Sequence, residues 1–188
     1  MSAKPDTREE ILKTASNMLQ LRGFNGFSYG HIAEVLGVKA AAVHYHFPSK
    51  TDLGLALIAR YRERYGRWMK DAQGLSARER LEGYITIYSR FLQEGAKACP
   101  AGVLQAEYQA IPEEMQRETR RMVQEIHRWL TDVLEDGRRK SEFAFNGDGS
   151  DKATVVMATL QGALQGARAL GKECFQAAVR QLKKDLGV

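Results

Sequence analysis

Apolar residues recur at helical spacing along almost the whole chain. The first apolar face, which follows a start at Asp6 or Thr7, carries Ile11, Leu12, Ala15, Met18 and Leu19. This spacing is typical of an amphipathic helix, and Gly23 follows as a residue that commonly ends one. No run of β-branched residues alternates with polar ones. The pattern therefore predicts helices and gives no support for a large β-sheet.

Capping and stopping residues divide the remaining chain into further helices. Ser49 with Asp52 and Ser76 with Glu79 have the spacing of capping boxes, and Pro112 suits the first turn of a helix. The predicted helices after the first are 28–36, 39–45, 49–74, one opened by Ser76, 101–110, 112–137, 151–170 and one from 172 onward. The sequence thus predicts an all-α protein of about nine helices.

Two short helices meet at Gly37 within residues 28–47 and form a predicted helix-turn-helix. In such a unit the second helix enters the major groove of DNA and the first crosses the backbone. The apolar residues that would lock the pair are Ile32, Ala33, Leu36, Val38 and Val43, and three alanines, residues 40–42, leave the second helix slender. Short helical hairpins also occur in many all-α proteins, so the spacing alone leaves DNA binding open.

The segment GFNGFSYGHIAEVLGVKAAAVHYHFPSKTDL, residues 23–53, strengthens the DNA-binding interpretation. Its GFxxFS, IAxxLGV and YHFPSKxxL elements resemble the N-terminal domain of the TetR family of bacterial transcriptional regulators. With the first helix, the resemblance covers residues 7 to about 55. It implies a helix-turn-helix DNA-binding domain over residues 1–48 and a helical effector-binding and dimerisation domain over 49–188.

The resemblance also implies DNA-contacting residues. They are Ser28 and Tyr29 at the start of the second helix, Lys39, Ala40, Ala41 and His44 facing outward on the third, and Tyr45, His46 and Lys50 at its far end. Two positions depart from the common family pattern, since Ala40 is often lysine and His44 often tyrosine. Either Lys39 and His44 carry the direct readout of bases, or specificity relies on thymine methyl groups and DNA shape.

A dimer is expected because two-fold pairs of such motifs bind half-sites roughly 34 Å apart. The segment LQGALQGARALG, residues 160–171, combines small residues that allow close helix approach with leucines that supply area. The candidate interface residues are Leu160, Ala163, Leu164, Ala167, Phe175, Val179 and Leu182. The alternative is that these residues form a helix buried within one chain.

The central helices are rich in aromatic residues and methionine. The candidate pocket residues are Tyr61, Tyr65, Trp68, Tyr84, Tyr88, Phe91, Tyr108, Met122, Ile126 and Trp129. They could equally form plain core, although buried tyrosine hydroxyls need partners and a pocket wall would use them as polar anchors. The family resemblance implies a small apolar or aromatic effector.

Cys99 is a possible sensor. Residues 98–108, ACPAGVLQAEY, distantly resemble a region of family members that respond to electrophiles through a cysteine. A reactive thiol needs a lowered pKa, and Lys97 is the nearby cation in sequence. The alternative is an ordinary buried thiol.

Charge and composition narrow the function class. The net charge of +5 and a pI of about 9.2 are only mildly basic. We find no nucleophile elbow, P-loop, GxGxxG or HExxH motif, so we expect no enzyme, no catalytic residue and no cofactor. His44 and His46 are two residues apart and fall on different helix faces, so we expect no metal.

The N-terminus lacks an apolar signal segment, and no run reaches a membrane span. We therefore expect a cytoplasmic protein without membrane contact. The sequence predicts a ligand-responsive repressor that binds a palindromic DNA operator as a homodimer and is released by its effector. The alternative is a helical ligand- or partner-binding module with weak or no specific DNA binding.

Overall fold

The computed structural model describes residues 7–95 and 97–188. Those residues form nine α-helices and no strand, which confirms the predicted all-α class. The helices are α1 Thr7–Arg22, α2 Tyr29–Leu36, α3 Ala40–His46, α4 Lys50–Asp71, α5 Ala77–Gln93, α6 Pro100–Ala106, α7 Glu113–Arg139, α8 Gly149–Leu170 and α9 Lys172–Asp185, with 3₁₀ turns at Ala72–Gly74 and Tyr108–Ala110. The candidate cap Asp6 lies outside the described residues.

Side-chain caps fix the helix starts where the sequence predicts them. At α5 the Ser76 backbone N–H donates to the Glu79 carboxylate at 2.8 Å, and the Glu79 N–H donates to Ser76 Oγ at 3.2 Å. Ser49 and Asp52 exchange the same pair of bonds at the start of α4, at 2.9 and 3.1 Å. Each box satisfies amides that the first helical turn leaves without partners.

The end of α7 differs from the sequence prediction. The helix was expected to end at Gly137, but it continues to Arg139. Gly137 is helical and serves close packing, because a Cβ there would lie 2.2 Å from a ring carbon of Phe143. The Glu142 and Phe143 amides donate to the Gly137 carbonyl at 2.8 and 3.2 Å, which brings the following loop back onto the helix.

The chain divides into two compact units. The head unit comprises the residues through Arg64 together with Pro100–Met122, and the body unit comprises Tyr65–Cys99 and Val123–Val188. The domain boundary predicted at residues 48 and 49 falls within the head unit. The head core holds fully buried side chains from α1, α2 and the first turns of α4, namely Ile11, Leu19, Ile32, Leu53 and Leu57.

In the body unit, α8 packs against α9 and α5. This explains why α8 is apolar around much of its circumference, since two neighbours cover it on different sides. Ion pairs join other elements of this unit: Lys183 contacts Glu82 at 2.5 Å, and Arg80 pairs with Asp136. None of the described helices is long and apolar enough to cross a bilayer.

Candidate nucleic-acid interface

A left-handed glycine sets the geometry of the helix-turn-helix. Gly37 has φ +65°, and the Gly37 and Val38 amides donate back to the carbonyls of Glu34 and Ala33 at 3.3 and 3.0 Å. This closes α2 in a Schellman-type turn, which favours glycine because other residues are strained at positive φ. Ile32 and Val43 are completely buried and lock α3 against the rest of the head.

The opposite face of α3 is open. Lys39, Ala40, Ala41 and His44 are exposed, and Tyr45 is 84% exposed. His46 is half-buried, and its ring lies edge-on to that of Tyr45 with centroids 5.2 Å apart. Lys39 occupies the cap position without using its side chain as a cap. The structure thus brings most of the residues predicted to contact DNA onto one exposed helix.

Ser28 and His31 form a capping box that sequence analysis missed. The Ser28 hydroxyl accepts from the His31 amide at 3.3 Å, and His31 Nδ1 accepts from the Ser28 amide at 3.2 Å. The familiar signal has glutamate or glutamine at the position of His31, and histidine can substitute because a neutral ring nitrogen accepts. Ser28 therefore holds the start of α2, and it remains exposed.

Tyr29 lies inside the head. It is 8% exposed, and its hydroxyl lies 2.8 Å from the Phe47 carbonyl oxygen and 2.5 Å from that of Ser49. Its ring also lies edge-on to the His44 ring, with the two ring centroids 4.6 Å apart. Burial, with a smaller contribution from Asp52, raises the pKa of Tyr29 to about 12. Tyr29 thus braces the junction of α3 and α4, a position from which the structure offers no free hydroxyl to a phosphate.

Lys50 is also turned toward the head interior. Its ammonium lies over the rings of Phe24 and Phe27, 4.7 and 4.9 Å from their centroids. Burial lowers the pKa of Lys50, and Glu107 partly offsets that shift. The sequence placed Lys50 among the DNA-contacting residues, whereas the structure uses its side chain to bind two aromatic rings.

Glu107, which sequence analysis did not single out, holds the loop that leads into α2. Its carboxylate accepts from the amides of Phe24 at 2.8 Å and Asn25 at 3.2 Å. Gly23 makes room for it, because a Cβ there would lie 2.0 Å from a Glu107 oxygen. The contact spans 83 residues of sequence, so no local pattern could have revealed it.

Among the described residues, no group of three or more histidine, cysteine or acidic side chains could hold a metal ion. His44 is exposed and His46 half-buried, and neither belongs to such a group.

The body unit gathers several predicted pocket residues into one aromatic cluster. The Trp68 and Trp129 rings lie 4.9 Å apart, and Tyr84 lies 5.9 Å from Trp129. Tyr88 extends the cluster, 5.3 Å from Tyr84 and 6.3 Å from Phe91. Ile126 is buried in the same unit. Both tryptophans are half-buried, whereas Tyr84 and Tyr88 are almost fully buried.

Cys99 adjoins the tyrosines of this cluster. It is 3% exposed, and its sulfur lies 3.8 Å from the Tyr88 hydroxyl and 3.9 Å from that of Tyr65. The Tyr84 and Tyr88 hydroxyls are 3.1 Å apart, and burial raises the pKa of both. Lys97, the cation expected near the thiol, instead pairs with Glu94 at 2.9 Å.

The other predicted pocket residues belong to the head unit. Tyr61 is buried and bonds to Ser16 Oγ at 2.7 Å. Tyr108 is half-buried and accepts from Arg120 at 2.8 Å. Met122 is buried in the core.

The predicted interface residues on α8 and α9 are already covered within one chain. All except the half-buried Val179 are buried: Leu160, Ala163, Leu164, Ala167, Phe175 and Leu182. The exposed face of α8 instead carries Gly162, Ala169 and Leu170, and Leu170 is 76% exposed.

Comparisons with known proteins agree with this architecture. Residues 11–57 match the model of the bacterial regulatory proteins of the tetR family, and residues 77–182 match the tetracyclin repressor-like C-terminal domain. The HTH-type transcriptional repressor NemR of Escherichia coli strain K12 is 26% identical over 163 residues, 84% of this chain and 82% of NemR.

Two solved structures are similar over nearly the whole chain. A TetR-family regulator from Agrobacterium tumefaciens has a TM-score of 0.90 at 30% identity, covering 97% of this chain and 99% of that one. A TetR regulator from Legionella pneumophila has a TM-score of 0.86 at 28% identity, covering 99% and 100%. The exposed α3, the matched helix-turn-helix and the matched C-terminal domain together show that this chain belongs to the TetR family and is a ligand-responsive, DNA-binding transcriptional regulator.

Proposed function

We propose that the protein is a homodimeric repressor that places α3 of each protomer in the major groove of a palindromic operator and is released by a small apolar or aromatic effector. The observation that carries the proposal is the contrast within α3. Val43 is completely buried, whereas Lys39, Ala40, Ala41, His44 and Tyr45 are exposed. A helix anchored on one side and bare on the other suits insertion into a groove about 12 Å wide.

The DNA contacts that we propose fall into two groups. Ala40, Ala41 and His44 face the base edges, and Lys39, Tyr45, His46 and the exposed Ser28 contact the backbone. Tyr29 and Lys50 support the interface indirectly. The Tyr29 hydroxyl contacts the carbonyls of Phe47 and Ser49, where α3 ends and α4 begins. The Lys50 ammonium packs over the rings of Phe24 and Phe27. Phosphate contacts of this kind supply affinity, whereas base contacts supply specificity.

The test is binding to the DNA upstream of the protein's own coding sequence. A repressor should shift this duplex at a concentration that leaves a scrambled duplex free. Log affinity should fall with log salt by about 0.9 for each contacted phosphate. Ala41→Glu should abolish binding, because it brings a negative charge into the groove.

Gln73→Glu is the matched control, since it adds the same charge at an exposed position in the 3₁₀ turn after α4. A chain that binds no duplex, or whose binding survives Ala41→Glu, would instead be the helical ligand- or partner-binding module. Since operator DNA in bacteria lies in the cytoplasm, the proposal places the protein there.

We propose that the effector binds beside the aromatic cluster of Trp68, Tyr84, Tyr88 and Trp129. Aromatic walls with a few hydroxyl anchors are typical of pockets for small planar ligands. An effector must bind the DNA-free state more tightly than the DNA-bound state, since equal binding shifts nothing. A panel of small aromatic compounds should contain members that raise the melting temperature and release the operator. Trp129→Ala should abolish both effects of such a compound and leave operator binding intact.

A sensor role for Cys99 is part of the same proposal, and the thiol's contact with the Tyr65 and Tyr88 hydroxyls supports it. Alkylation of Cys99 would insert a bulky group beside these buried hydroxyls and should weaken operator binding. The measurement uses a Cys174→Ser background, so that Cys99 is the labelled thiol. Alkylated protein with unchanged operator affinity would exclude the sensor role.

A further inference from the structure

Two of the three side chains that we propose face the base edges, Ala40 and Ala41, consist of a methyl group alone. Ala40 and Ala41 are exposed at the start of the helix. Val38, two residues before the first residue of α3, is 37% exposed, and Val35, across the Gly37 turn, is 65% exposed. These four exposed residues fall within seven positions of the sequence, on either side of the Gly37 turn, and we call them the methyl surface.

The polar groups near this surface are poorly suited to recognising bases by paired hydrogen bonds. Residues 38–46, VKAAAVHYH, contain no arginine, asparagine or glutamine, so Lys39 is the one residue of this segment from the types that make bidentate contacts to guanine or adenine. The His44 ring is held edge-on against Tyr29 at 4.6 Å, and Lys50 is held over two aromatic rings. Lys39 remains as the long donor beside the methyl surface.

The major groove presents one hydrocarbon group on unmodified bases, the C5-methyl of thymine. We propose that this regulator reads its operator chiefly through thymine methyl groups, which pack against Ala40 and Ala41 with Val38 at the edge. The inference rests on the proposed function, because it assumes that α3 enters the major groove. It predicts half-sites with thymines at fixed positions, where cytosine is rejected for lack of a methyl group.

Deoxyuridine provides the test, since it differs from thymidine by this methyl group alone and keeps the same hydrogen-bonding edge. The operator is first selected with the full-length protein from a pool of random duplexes. Each thymidine is then replaced by deoxyuridine, and affinity is measured by fluorescence anisotropy at one fixed salt concentration. Burial of one methyl corresponds to about a fourfold change in affinity, so one substitution should weaken binding about fourfold and the symmetric pair about sixteenfold.

Protein variants then locate the contact. Ala40→Gly and Ala41→Gly remove the partner methyl, so each should bind the natural operator more weakly and lose its sensitivity to deoxyuridine at one position. Ala42→Gly is the matched control. It is the same change in the same helix at a half-buried position, and it should retain the full deoxyuridine effect. Circular dichroism confirms that each variant is folded.

The outcomes separate the inference from the proposed function. If no duplex is enriched by selection, the proposed function fails. If an operator is selected but deoxyuridine is tolerated at every position, the function stands and methyl reading is overturned in favour of DNA shape or of hydrogen bonds from Lys39. If deoxyuridine weakens binding equally in the natural protein and in both the Ala40 and Ala41 variants, the assignment to these residues is wrong.

Discussion

Buried residues in the head hold α3, the helix that we propose reads DNA, in place. Tyr29 is the clearest case, because its hydroxyl lies at the carbonyls of Phe47 and Ser49, where α3 gives way to α4. Since carbonyls in a buried setting need a donor, this one hydroxyl stabilises both the fold and the angle at which α3 emerges. We therefore expect this buried side chain to affect DNA affinity through the position of α3.

Tyr29→Phe should lower the free energy of unfolding by about 1–2 kcal/mol, because it leaves buried carbonyls without their donor. Operator affinity should fall as well. The control is Tyr45→Phe, the same change at an 84% exposed side chain, which should leave the thermal midpoint unchanged. Equal thermal midpoints for the two variants would show that the Tyr29 hydroxyl does not stabilise the fold.

The raised pKa of Tyr29, about 12, has a consequence at alkaline pH. The folded state favours the neutral phenol, so this contribution to stability is fully present below pH 10, the ordinary tyrosine value, and is lost as the pH rises from 10 to 12. Tyr29→Phe should therefore flatten the decline of stability over this range. Parallel declines in the two proteins, measured by urea unfolding, would contradict this account.

His31 gives a second residue-level prediction. His31→Ala should cost about 1 kcal/mol by removing one half of the capping box at α2. His31→Gln should cost much less, because a glutamine side chain can also accept from the Ser28 amide. Urea unfolding of the two variants measures the difference, and equal losses would show that the His31–Ser28 bond contributes no stability.

At the level of helices, the sequence predicts helix starts and ends correctly where the residues that determine them are close neighbours in the chain. The capping boxes at Ser49 and Ser76 and the stop at Gly23 follow from residues within four positions, and the structure has each of them. The predicted end of α7 at Gly137 is wrong, because a glycine can either end a helix or allow close packing of a neighbouring side chain. Here the Phe143 ring packs against Gly137, and the local sequence does not show this. The contacts of the Lys50 ammonium with Phe24 and Phe27 could not be predicted locally either, because the two rings lie more than twenty residues away in sequence.

The C-terminal end of α7 is tied to α5 through Asp136. Hydrogen bonds from Lys140, Arg139 and Arg80 lower the pKa of Asp136 to about 2. The carboxylate's contribution is therefore present above pH 3.8, its ordinary pKa, and is lost as the pH falls toward 2.

Asp136→Asn should lower the thermal midpoint at pH 7, and the gap to the natural protein should close as the pH falls from 4 to 2. The control is Asp132→Asn, the same change at an exposed position one turn earlier. A gap that persists unchanged at pH 2 would show that the effect does not arise from the charge of Asp136.

At the scale of the molecule, the family and the all-α fold were predictable from the sequence, but the exposed face of α8 was not. Leu160 and Gly162 are two residues apart on a helix with apolar and small residues on several sides. One is fully buried and the other is open. Hydrophobic periodicity cannot show which face of α8 is exposed, because α5 and α9 both pack against this helix.

Gly162→Arg should convert the proposed dimer into a folded monomer with weak operator binding. A Cβ at Gly162 meets nothing within 4 Å, so one chain accommodates the side chain. Gly66→Arg is the control, since position 66 on α4 is also helical and open, and this variant should stay dimeric. Ala163→Arg should instead unfold the chain, at a cost above about 3 kcal/mol, because that position is buried.

Light scattering gives the mass of each variant and circular dichroism its fold. A dimeric Gly162→Arg protein would place the interface away from this face.

The two tryptophans of the chain, Trp68 and Trp129, both lie in the body unit, 4.9 Å apart. Their emission therefore reports on the body alone, since α1, α2 and α3 contain no tryptophan. Denaturation followed by fluorescence and by far-ultraviolet circular dichroism should coincide if both units melt in one transition. If the head unfolds first, the circular dichroism signal will change while the tryptophan emission stays constant. The two natural tryptophans therefore distinguish unfolding of the head from unfolding of the body.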